Sequence, residues 1–136
     1  GGTDFRQMIR ELQPQVDLFI CMINWWTCVN GAEYFTEPGD HAGEMETSIM
    51  LSLEPDLVLP LSEAGPGKAR KFRVAGLREG WAWAPRRWTQ VTDDTGTGNP
   101  AAATVSKGEK FLAAVTLKIG DFLVDLAKAD TNKLYE

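Results

Sequence analysis

One stretch limits the fold of this chain more than any other. From Leu18 to Ile23 the sequence reads Leu-Phe-Ile-Cys-Met-Ile, six apolar residues without alternation. A half-exposed strand alternates apolar and polar side chains, whereas a strand covered on both faces is apolar throughout. The run predicts a buried strand in a layered α/β domain. Asn24, Trp25 and Trp26 then stand at its C-terminal end, the edge where open α/β sheets bind ligands. A sheet needs more than one strand, and the only other candidate, Leu57-Val58-Leu59, is short and ended by Pro60. The chain reads as strand-poor.

Helical patterns surround this run. Phe5, Met8, Ile9 and Leu12 fall at i, i+3, i+4 and i+7, one apolar stripe of a short helix with Thr3 as its cap and Asp4 in its first turn. Pro14 ends it. A second helix is expected from about Ala42 to Leu53, with Met45, Ile49 and Leu53 on one stripe, Met50 beside it, and Asp40 or His41 as the cap. Residues 61–105 are rich in Gly and Pro and predict a long irregular segment, which in a compact domain is usually functional or packed on a partner. Ser106-Lys107-Gly108-Glu109 reads as a capping box. It opens a C-terminal helix over residues 106–130 whose apolar face is Leu112, Val115, Ile119, Phe122, Leu123 and Leu126.

The length, 136 residues, suits one domain with a single core. No apolar run approaches the ~20 residues of a membrane-spanning helix, and the N-terminus has no basic segment leading an apolar one, so neither membrane nor signal peptide is expected. Cys21 and Cys28 make no disulfide framework. Cys21, inside the apolar run, reads as a small buried hydrophobe, and a cytoplasmic setting fits. The net charge of −5 is uneven. Lys68, Arg70, Lys71, Arg73, Arg78, Arg86 and Arg87 stand against the single acid Glu79, a local +6 that leaves −11 on the remaining chain. Trp81, Trp83 and Trp88 interleave with these bases. Such a segment can bind phosphates and stack bases, but Arg and Trp are also the residues enriched at protein interfaces. With acidic surface elsewhere on the chain, a subunit contact is favoured over nucleic acid.

The chemistry concentrates between Gly39 and Ser48, Gly-Asp-His-Ala-Gly-Glu-Met-Glu-Thr-Ser. His41 is the only histidine, and Asp40, Glu44 and Glu46 flank it. Histidine is the usual proton carrier at neutral pH and a common metal ligand. A zinc site needs three or four protein ligands, and with no second histidine or suitably spaced cysteine a self-contained one is not expected. A Cys28–His41 nucleophilic pair ranks lower, because nothing around Cys28 activates a thiol.

This decamer resembles the His-Ala-Gly-x-x-Glu-Thr-Ser signature of the creatininase (creatinine amidohydrolase) family. The Trp25-Trp26 pair ahead of it, the Gly-Asn-Pro and Ala-Thr-Val-Ser-Lys-Gly-Glu stretch over residues 98–109, and the Gly1-Gly2-Thr3-Asp4-Phe5 opening resemble further family features. The resemblance implies a three-layer α/β/α domain. In this chain it would be only partial, the C-terminal portion of a single creatininase-like domain without its N-terminal strands. It also implies metal-dependent hydrolysis of a cyclic or linear C–N amide by a metal-bound water, with zinc or manganese, in a homo-oligomer, typically a hexamer. By position the catalytic residues would be His41, as the proton-transfer group, and Asp40, as an acid that supports the site from behind or contacts the substrate. Trp25, Trp26 and Glu44 would contact a small amide substrate, and Glu46 would lie on or near the metal. The family's principal ligands, a Glu-x-His pair, an Asp and the His of a Gly-His-Gly-Gly loop, have no counterpart here. The resemblance therefore implies a chain inactive by itself. The alternative is a non-catalytic oligomerisation or binding module that uses the basic, Trp-bearing segment 68–88.

Overall fold

The computed structural model describes residues 2–37 and 39–135. They divide into two units, residues 30–113 and a second made of 1–29 with 114–136.

In the unit that holds the N-terminus, helix α1 spans Gly2–Leu12 with Asp4 in its first turn and Arg10 in its last, each on the side the helix dipole favours. Gln7 Nε2 donates to Glu11 Oε1 one turn on, at 2.6 Å. The side chain of Thr3, the expected cap, lies outside the described residues. Pro14 sits in a 3-10 turn over Gln13–Gln15. The expected apolar stripe is present, yet Phe5, Met8 and Leu12 are all exposed.

The run from Leu18 to Ile23 forms no strand, and among the described residues there is none. This departs from the α/β expectation for a physical reason. A strand is defined by a ladder of hydrogen bonds to a neighbour, and here one side chain stands in for that neighbour. The Gln13 carboxamide donates to the Leu18 carbonyl and accepts from the Ile20 amide at 2.8 Å. Leu18 is 70% exposed, and Cys21 is exposed rather than buried. Leu57 likewise closes a 3-10 turn, Pro55–Leu57, instead of starting a strand.

In the unit of residues 30–113 the core gathers where helix α2, Glu44–Leu53, meets the start of helix α5, Val105–Lys128. Phe111 is fully buried against Phe35 and Tyr34, at ring-centroid distances of 5.1 and 5.4 Å and edge-on, the arrangement the ring quadrupoles favour. Ile49 and Ala103 complete the apolar part. The helices touch through Gly108, where a Cβ would stand 2.0 Å from the Ser48 carbonyl oxygen. Ser48, itself fully buried, accepts from the Thr104 amide at 3.1 Å. The buried face of α2 is thus Glu44, Ser48 and Ile49, not the Met45–Ile49–Leu53 stripe, and Leu53 is 58% exposed.

Helix α5 opens one residue earlier than the capping-box reading placed it. Thr104 Oγ1 accepts from the Lys107 amide at 3.2 Å, so Thr104 caps the helix and Ser106 lies inside its first turn. Residues 61–105 are mainly irregular, with two short helices, α3 over Ala75–Glu79 and α4 over Trp88–Val91. No helix of the described residues is long and apolar enough to cross a membrane.

Candidate active site

The loop that carries His41 is shaped by glycines. Gly39 has φ +76° and Ala42 φ +51°, so the chain turns left-handed on either side of the Asp40–His41 pair. For alanine that region is sparsely populated, and such outliers cluster where a surrounding structure holds them for a purpose. A Cβ on Gly98 would lie 2.6 Å from the Gly43 Cα and 2.9 Å from the Gly39 Cα. Three backbones therefore meet at van der Waals distance, which only glycine permits.

That close approach lets Thr97 hold the dipeptide. The Asp40 amide donates to the Thr97 carbonyl at 3.4 Å, and the Thr97 amide donates to the His41 carbonyl at 2.9 Å. Thr97 is buried, and its hydroxyl donates to Asp40 Oδ2 at 3.3 Å. The other contact of that oxygen is Arg86 Nη1.

His41 is about half exposed. Its Nδ1 lies 3.7 Å from Glu46 Oε2, too long for a hydrogen bond. Glu46 is the third residue of α2 and turns back, so that Oε2 accepts from the Ala42 amide at 2.5 Å. The carboxylate thereby satisfies the amide one residue before the N-cap, Gly43, which has no side chain to cap with. The expected caps, Asp40 and His41, lie before that point.

Glu44 is a different kind of acid. It was expected at the substrate, yet it is fully buried with both oxygens taken. Oε2 accepts from the Thr36 and Glu37 amides at 2.9 and 2.7 Å, and Oε1 pairs with Lys107 Nζ. Burial pushes its carboxyl up, but the Glu37 amide, Lys107 and the Thr36 amide together outweigh that and hold it below its usual value. Fully buried and partnered at both oxygens, Glu44 fastens the 36–37 loop to α5.

Trp25 and Trp26 belong to the other unit, where their rings meet edge-on at 5.9 Å. Cys28 Sγ there contacts the Asn24 carbonyl at 3.7 Å. Sequence reasoning missed Thr97, Lys107, Arg86 and Trp88. The last two come from the basic segment, and the Trp88 ring lies 5.4 Å from the His41 ring. Several cations of that segment are engaged within the chain. Arg70 pairs with Asp93 at 2.5 Å, Arg86 with Asp40, and Arg78 donates to the Phe72 and Arg73 carbonyls. Fewer remain for phosphate than the sequence count suggests.

The donor set does not fit a divalent metal ion by itself. Among the described residues no three His, Cys, Asp or Glu side chains converge. Glu46 faces one histidine nitrogen and an amide, short of the three or four ligands a zinc ion takes.

The loop thus sets the single histidine next to Asp40 in sequence and 3.7 Å from Glu46 in space. The family model for creatininase, described as creatinine amidohydrolase, matches residues 3–123. A candidate creatinine amidohydrolase of Bacteroides fragilis NCTC 9343, known from a crystal structure, is similar at 41% identity with a TM-score of 0.87. The similarity covers 97% of this chain and 51% of that one, so the chain spans about half the length of the structure it matches. No curated protein matches the chain significantly. The chain belongs to the creatininase family.

Proposed function

We propose that this chain supplies the acid–base wall of an amidohydrolase site that cleaves a C–N bond of a small cyclic or linear amide, creatinine being one such compound. The observation that carries this is the setting of His41. Its backbone is fixed by Thr97, and its Nδ1 stands 3.7 Å from the Glu46 carboxylate.

Glu46 beside Nδ1 favours the tautomer protonated there, leaving Nε2 as the atom that takes and returns a proton at the leaving nitrogen. Asp40, held by Arg86 and Thr97, fixes the loop rather than transferring protons. The zinc or manganese implied by the family would supply carbonyl polarisation and water activation. Among the described residues no three His, Cys, Asp or Glu ligands converge around Glu46, and in this reading the chain is inactive by itself. In the same reading, residues 18–23 would join an α/β/α layer as a strand only beside a neighbouring strand. Gln13 occupies the hydrogen-bond positions such a neighbour would take.

A hybrid tests this directly, with this chain replacing the matching part of the Bacteroides fragilis protein. It is expected to hydrolyse an amide in the presence of zinc or manganese, while the isolated chain does not. A hybrid that folds and binds metal but turns over no amide, or a chain that turns over amide unaided, contradicts the proposal.

One observation favours a second role for the segment 68–88. Trp81 and Trp83 are 77% and 86% exposed, more surface than a monomer gains from displaying. Homo-oligomerisation through these side chains is the non-catalytic alternative, and light scattering of the Trp83→Ser variant separates the two.

A further inference from the structure

The histidine loop and the basic, tryptophan-bearing segment meet in a closed ring of contacts. The His41 and Trp88 rings lie 5.4 Å apart, inclined at 60°. The Arg86 guanidinium sits 4.5 Å from the centroid of the Trp88 ring, and its Nη1 pairs with Asp40, the neighbour of His41. The path runs from imidazole to indole to guanidinium to carboxylate and back through one peptide bond.

We propose that Trp88 and Arg86 are positioning residues for His41, setting the plane of the imidazole that the proposed acid–base role requires. This inference rests on that role. The need for such a device follows from what the other contacts leave undone. Thr97 fixes the His41 backbone but not its side-chain torsions. Glu46, at 3.7 Å from Nδ1, is beyond hydrogen-bond length and leaves the half-exposed ring able to rotate. Trp88 supplies the missing wall.

Trp88 needs holding in its turn. It opens a four-residue helix, too short to be rigid by its own hydrogen bonds, and it is 39% exposed. Arg86 stacks on the indole while bound to Asp40, so one side chain ties Trp88 to the loop it serves. A planar guanidinium does both at once, which an ammonium does not. An exposed Arg–Asp pair by itself stabilises little. Closed into this ring, its effect is on placement rather than on stability.

Because His41 is the only histidine, its imidazole carbon-bound protons give one unambiguous pair of NMR signals. In the unmodified chain the Trp88 ring current is expected to displace them from the positions of a solvated imidazole. The displacement should be lost in Trp88→Leu, largely restored in Trp88→Phe, and reduced in Arg86→Gln. The Arg86 variant changes a part-exposed side chain and keeps the test valid if Trp88→Leu fails to fold. Unchanged His41 signals in Arg86→Gln, or a loss in Trp88→Phe equal to that in Trp88→Leu, would overturn the inference. The signals report ring placement and not turnover, so this result is separate from the outcome of the hybrid-enzyme assay.

Discussion

Removing the cation from the buried Glu44–Lys107 pair is the sharpest perturbation this fold offers. In Lys107→Met the stem volume is kept, and the charge goes together with the ammonium's donation to the Ala102 carbonyl at 2.8 Å. Glu44, fully buried, then retains two amide donors but no counter-charge. Breaking a wholly buried pair in this way costs about 3–5 kcal/mol. Lys107 is about one-third exposed and the two amides still hold the carboxylate, so the expected loss is smaller, about 2–3 kcal/mol. In urea that moves the unfolding midpoint down by roughly 1–2 M for a slope on the order of 1.5–2 kcal/mol/M. The pH dependence gives an independent sign. The Glu44 carboxyl is held below its usual value of 4.5, so the stability it contributes is complete above about pH 4.5 and is lost as the pH falls through its lower, folded-state value. Without Lys107 the folded carboxyl binds its proton more readily. The gap between variant and parent should therefore narrow on acidification. A midpoint shift below about 0.3 M, or a gap that widens toward pH 3, would refute the assignment of Glu44 as a buried anion paired by Lys107.

Other outcomes follow from the same contacts. Gly108→Ala places a methyl 2.0 Å from the Ser48 carbonyl oxygen. It should lower stability by about 1–3 kcal/mol or more, since a backbone atom cannot step aside cheaply; a thermal midpoint within a degree of the parent would count against the helix crossing. Ala42→Gly relieves a left-handed alanine, so thermal unfolding should show a change between neutral and about 1 kcal/mol stabilising. A clear loss there would mean the alanine methyl is doing something the contacts do not show. Gly98→Ala forces apart the loops that carry Gly39 and Gly43 and should shift the Thr97 and His41 amide resonances, which a rigid-body adjustment elsewhere would leave in place.

What the sequence disclosed depended on how local each interaction is. The helices over 2–12, 44–53 and 105–128 were legible because apolar spacing and caps act within a few residues. Even there the caps shifted. Thr104 takes the role expected of Ser106, because its hydroxyl reaches the Lys107 amide. The decamer stood out as the place for chemistry, but the parts played by its acids did not. Glu44 and Glu46 sit two residues apart in one helix turn, and only the partners from residues 36–37, 42 and 107 separate a buried anchor from a group facing His41. Arg86 and Trp88 were hidden more thoroughly. Arg86 lies 46 residues from Asp40 in a segment without periodicity, and its charge there read as part of a surface patch. Residues 18–23 failed as a strand for a related reason. Their apolar character is local, whereas strand formation requires a partner that no pattern within the run can supply.

If His41 moves protons at an amidohydrolase site, the rate of amide hydrolysis by the hybrid enzyme carrying His41→Gln reports it without an intermediary. Removing a general acid–base group costs about 10²–10⁴-fold, so turnover should fall by that factor while the metal content of the hybrid stays unchanged. Turnover that remains within a few-fold of the parent hybrid would contradict the account.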